Sequence, residues 1–90
     1  MTDERRAEIE SRAISKYGEN SQVDKAVEEM SELTKALLKY RIGFATLDEI
    51  REEAGDVQIM LDQLCMLYGS TTDMEDYKLN RLWARMEVNK

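Results

Sequence analysis

Apolar side chains recur along this chain every three to four residues, the period of a helix buried along one stripe. One such stripe runs through Val23, Ala26, Val27, Met30, Leu33, Leu37 and Tyr40. A second runs through Leu47, Ile50, Ala54, Val57, Leu61, Leu64 and Tyr68, and a shorter third through Leu79, Leu82, Trp83 and Met86. Gly18, Gly43 and Gly69 each follow a segment of helical period, where a C-terminal cap is expected. Each glycine is followed by Ser or Thr with an acid three residues on: Ser21 with Asp24, Thr46 with Glu49, Thr72 with Glu75. That pattern is the capping box of a helix start. The spacing predicts helices over 3–17, 22–41, 47–68 and 73–88. No β-branched run alternates, so no strand is expected. The predicted fold is all-α, a four-helix bundle in a single domain spanning 1–90.

Composition narrows the chemistry. The 90 residues contain no histidine, one cysteine and no proline. Imidazole catalysis, disulfide frameworks and zinc ribbons are excluded. The net charge of −6 disfavours a nucleic-acid partner, because such a surface repels phosphate backbones. No apolar run approaches the roughly 20 residues of a membrane span, so no membrane partner is expected. MTDERRAEIE does not read as a signal peptide, and the lone thiol Cys65 suits a reducing compartment, so a cytoplasmic location is expected. A core this small is marginal alone, which favours self-association.

Charge is concentrated in one place. Residues 44–68 carry six acidic and one basic side chain, giving −5 of the total. On the second helix, Glu29 and Glu32 fall about 60° apart on one flank of the apolar stripe, with Gln22 and Lys25 on the same line. On the third, Glu53 and Asp56 stand in the same relation, with Glu49 beside them. Glu28, Glu52 and Asp62 rotate outward. Gly55 sits inside the third helix, where glycine is useful if a helix or ligand must approach closely. A short turn makes the two helices antiparallel neighbours, so Glu29, Glu32, Glu53 and Asp56 can converge on one cleft. Crowded carboxylates must protonate or bind cations. An all-oxygen set favours Mg²⁺, with Mn²⁺ also suited, over zinc or copper. The plain alternative is two solvated acidic faces. On the fourth helix Lys78, Arg81 and Arg85 form a cationic stripe. It suits phosphate oxygens, or simply a solvated helix end.

Glu29-x-x-Glu32, a spacer of 20 residues, and Glu53-x-x-Asp56 resemble the signature of the MazG-like all-α nucleoside triphosphate pyrophosphohydrolases, grouped with the dimeric dUTPases. The contexts EEMSEL and EEAGDVQIML belong to the resemblance, as does the tail YKLNRLWARM, similar to small phage-type members. It covers about Gln22 to Arg85. It implies a homodimer or dimer of dimers and Mg²⁺-dependent cleavage of a nucleoside triphosphate substrate to monophosphate and pyrophosphate, in the manner of nucleotide-pool housecleaning. Glu29, Glu32, Glu53 and Asp56 would then be the catalytic metal ligands. Lys35 and Lys39, or Lys78 and Arg81, would hold the outgoing pyrophosphate, and Gln22 would meet the base edge. The base itself has no motif here.

A non-catalytic nucleotide- or protein-binding helical module is the competing expectation, since ligand residues alone do not establish turnover. Cys65, Met60, Met66, Met74, Met86 and Trp83 read as core or interface residues.

Overall fold

The computed structural model describes residues 1–88 and contains four helices in the order read from the sequence. These are α1 (Asp3–Tyr17), α2 (Glu19–Arg41), α3 (Leu47–Tyr68) and α4 (Thr72–Val88), with no strand among the described residues. Among them, no helix is long and apolar enough to cross a membrane.

The helix ends show which local signals the chain uses. Thr46 caps α3 with a complete capping box: its hydroxyl accepts from the Glu49 amide at 3.1 Å while the Glu49 carboxylate accepts from the Thr46 amide at 3.4 Å. The Ser21–Asp24 pair is not used. α2 starts three residues earlier than expected, at Glu19, because the chain turns in a single residue. Gly18, at φ 91° and ψ 156°, ends α1 and begins α2 at once. That positive φ is strained for any side chain. At α4 the bonding shifts one residue earlier than the expected Thr72–Glu75 box. Thr71 supplies both its carbonyl and its hydroxyl to Glu75, the hydroxyl donating to the carboxylate at 2.6 Å.

α2 and α3 form the framework, an antiparallel hairpin across the turn at 42–46. Its register follows from what meets: Gln22 bonds Gln63, Glu29 acts on Asp56, and Lys35 and Lys39 share a cleft with Glu49. Ala26, Ala36 and Met60 are buried along the seam, and Val23, Leu33, Ile50, Ala54, Val57 and Leu64 are half-buried beside them. Small alanines let the helices approach closely. The predicted apolar stripes are wider than this seam. Val27, Leu37, Tyr40, Leu47, Leu61 and Tyr68 were expected in the core and are exposed, because two helices cover only the centre line of each stripe.

α1 packs on both members of the hairpin. Its outer clamp is polar. Arg6 Nε donates to Asp62 Oδ2 at 2.8 Å and lies 3.7 Å from Glu10 Oε2. Glu10 is only 4% exposed, and its Oε2 has no hydrogen-bond partner. Burial first, then the neighbouring Asp62 carboxylate, push the Glu10 carboxyl up to about 7 against the pull of Arg6.

The expected four-helix bundle is corrected at α4. This helix packs against none of the others within the protomer, and its residues from Thr72 to Glu87 are exposed throughout. Trp83, at 61% exposure, is an anchor without a socket here. The radius of gyration is 16.2 Å. A compact chain of this length has one of about 12 Å.

Candidate metal centre

Two consecutive helical turns on each arm of the hairpin build the site. Glu29 and Glu32 project from α2 one turn apart, and Glu53 and Asp56 project likewise from α3. The antiparallel register sets Glu29 opposite Asp56. Glu29, Glu53 and Asp56 each bring a carboxylate oxygen within 4.8 Å of the others. Glu29 is buried at 8% exposure, Glu53 half-buried and Asp56 exposed, so the group opens outward from the seam.

Glu32 stands outside that group of three. It lies one turn along α2, beside Lys35 Nζ at 3.9 Å, and contributes its charge to Glu53 from there. Glu28 and Glu52 are exposed, as their rotation predicts. Gly55 lies between the α3 carboxylates Glu53 and Asp56, and a methyl group there would meet nothing within 4 Å. Within the protomer, then, no helix uses its small size.

The electrostatics are those of an under-neutralised acidic group. Desolvation, followed by the charges of Asp56, Glu29 and Glu32, raises the Glu53 carboxyl above its ordinary range. Asp56 is raised by desolvation, by a hydrogen bond shared with Glu29 and by the charges of Glu29 and Glu52, against Lys25. Glu53 and Asp56 hold their protons more tightly because burial disfavours their charge and their neighbours are already negative. A divalent cation removes that repulsion, and three or four carboxylates with water completing the shell suit Mg²⁺ or Mn²⁺. The donor set fits the ion. The protein also supplies a cation of its own: Lys25 Nζ lies 3.1 Å from Glu29 Oε1 and 3.8 Å from Glu28 Oε1.

Two recesses flank the acidic group. The larger, about 870 Å³, is lined by Tyr17, Gln22, Lys25, Glu29, Asp56 and Met60 among others. That volume is within the range of small-molecule sites, about 300–1,000 Å³. The smaller, about 170 Å³, lies on the other side between Glu32, Lys35, Lys39, Glu49 and Glu53. Gln22 faces the large cavity and is 8% exposed. Its Nε2 donates to Oε1 of Gln63 at 2.6 Å, across the α2–α3 seam.

The structure therefore brings together Glu29, Glu53 and Asp56, with Glu32 adjacent, Gln22 on one side and Lys35 and Lys39 on the other. It does not bring Lys78 and Arg81 to them, because α4 stands clear of the hairpin. Arg81 instead lies over the Tyr77 ring, 5.8 Å from its centroid. Three participants carried no assigned role in the sequence. Lys25 was readable, since Lys25 and Glu29 are four apart on one helix face. Tyr17 and Gln63 were not, because Tyr17 reaches the cavity through the packing of α1 and Gln63 reaches Gln22 through the register of α3. Comparison with protein-family models, curated proteins and solved structures finds no match to this chain.

Proposed function

We propose that this protein is a Mg²⁺-dependent nucleoside triphosphate pyrophosphohydrolase that works as a homo-oligomer. One observation carries the reading: three carboxylates from facing helices meet, and two of them, Glu29 and Asp56, line a cavity large enough for a nucleoside. The resemblance of Glu29-x-x-Glu32 and Glu53-x-x-Asp56 to the MazG-like signature supplies the reaction.

In this reading Glu29, Glu53 and Asp56 hold the ion, with Glu32 one turn away completing the acidic wall. Bound there, Mg²⁺ (or Mn²⁺) would supply Lewis acidity to the phosphate oxygens and to the attacking water. A carboxylate of this acidic wall takes the proton of the attacking water. Water adds between the α- and β-phosphates and the chain releases monophosphate and pyrophosphate. Lys35 and Lys39 line the smaller recess and neutralise the departing pyrophosphate. Gln22 and Tyr17 face the nucleoside in the larger one.

Self-association is supported by surface area. The chain exposes 7332 Å², against about 5,400 Å² for a folded monomer of this mass. The excess of about 1,900 Å² exceeds the roughly 800 Å² each partner buries in a standard interface. α4 and the uncovered flanks of the apolar stripes carry much of it. A second copy is also the route by which Lys78 and Arg81 would reach an acidic group.

The test is pyrophosphate release from a panel of ribo- and deoxyribonucleoside triphosphates in Mg²⁺ and in EDTA. Metal-dependent release with monophosphate as co-product is expected. No release from a folded, Mg²⁺-binding protein would turn the reading towards a nucleotide-binding module without turnover.

A further inference from the structure

Beside Glu29, Gln22 and Gln63 are the buried polar side chains of a seam otherwise made of alanine, methionine and branched aliphatics, and they form an amide pair at 8% and 3% exposure. Buried amides cost stability unless bonded, and an apolar pair would fill the same seam without that penalty. The pair is also directional. Gln22 Nε2 donates one of its two hydrogens to Gln63 Oε1 at 2.6 Å. Its second hydrogen and its own Oε1 take no part in that bond, and the residue lines the large cavity.

An amide edge with one donor and one acceptor matches the pairing edge of a nucleobase, which also offers one of each. The order differs between bases. Adenine and cytosine carry an exocyclic amine beside a ring acceptor, whereas guanine, uracil and thymine carry a carbonyl beside a ring N–H. A glutamine held one way round fits one order and opposes the other at both positions. A half-turn of Gln22 alone would set two carbonyl oxygens against each other across the seam. We infer that Gln63 is a positioning residue that fixes the orientation of the Gln22 amide, and that the pair separates amino bases from keto bases. This rests on the nucleotide reading above.

The test compares substrates matched in ring size: adenine with guanine nucleotides, and cytosine with uracil nucleotides. The wild-type protein should prefer one member of each pair, in the same amino or keto sense, by about tenfold or more in kcat/KM. The same preference should hold for binding of the α,β-imido analogues, which are not turned over. Gln63→Met removes the acceptor and frees Gln22 to turn, so both ratios should fall towards one. Gln63→Glu can only accept, so at pH 8 it should keep the wild-type ratios. A purely structural role for Gln63 would lower stability without moving the ratios. Wild-type ratios near one, as a pair turning in concert would give, overturn the inference. So do ratios unchanged in Gln63→Met. Absence of both hydrolysis and analogue binding in the wild type instead sinks the nucleotide reading, and this inference with it.

Discussion

Glu10 gives α1 a pH-dependent hold on the hairpin. Its carboxyl titrates at about 7 in the folded protein against 4.5 in an open chain. Below about pH 4.5 it is protonated in both states and contributes no pH dependence. Between 4.5 and 7 the unfolded chain releases the proton while the folded protein keeps it, so stability falls as pH rises. Above 7 the folded protein must hold a buried carboxylate beside Asp62. At about 1.4 kcal/mol per unit, the loss across that window is at most about 3 kcal/mol. Arg6 faces Glu10 from its own helix and Asp62 faces it from α3; no charged group of α2 is among those acting on it. Glu10→Gln is close in shape to the neutral form and removes the titration. Urea unfolding of both proteins from pH 5 to pH 8, at one protein concentration, isolates the term as a difference. The two should be nearly equal at pH 5, and the variant should be more stable at pH 8 by up to about 3 kcal/mol. Amide exchange in α1 should slow in the variant at pH 8. A difference that changes by less than about 0.5 kcal/mol across the range would refute the reasoning.

Three further outcomes follow from the same coordinates. Glu53→Gln relieves repulsion at the acidic group, so it should raise the Tm measured in EDTA and abolish the further rise in Mg²⁺ that the proposed metal site predicts for the wild type. Gly55→Ala places a methyl group in open space on a helix interior and should stabilise the chelated protein by about 1 kcal/mol in a denaturant titration, whereas a copy or substrate passing close to it would turn the gain into a loss. Trp83→Ser should leave the far-ultraviolet spectrum unchanged at high concentration and shift sedimentation towards the monomer, since Trp83 has nothing to pack on within one chain.

The helices were legible because their signals are local. Glycine at 18, 43 and 69 and the box at Thr46 act within a few residues, and each break falls where the chain marks it. The approach of Glu29 to Glu53 and Asp56 was legible for a related reason: a short turn makes the two helices antiparallel neighbours. What the chain did not announce is non-local. Periodicity tells which side of a helix is apolar and not what covers it, so α4 and the flanks at Leu37 and Leu47 read as core. The burial of Glu10 was not readable, because nothing in its neighbourhood along the chain marks the crossing of α1 over α3. Likewise, the 60° spacing put Glu32 beside Glu29, yet one helical turn carries it outside the tightest group.

Gly18 makes α1 a lever on a one-residue pivot. At 1.5 Å per residue, Tyr17 lies about 2 Å from the pivot along the helix axis, Glu10 about 12 Å and Arg6 about 18 Å. A swing of about 10° therefore carries Arg6 some 3 Å, enough to part it from Asp62, while Tyr17 moves by less than about 0.5 Å. Titration at Glu10 acts on the long arm and the cavity wall sits at the fulcrum. Loosening the clamp changes how α1 lies on the hairpin and leaves the aromatic face of the cavity almost where it was.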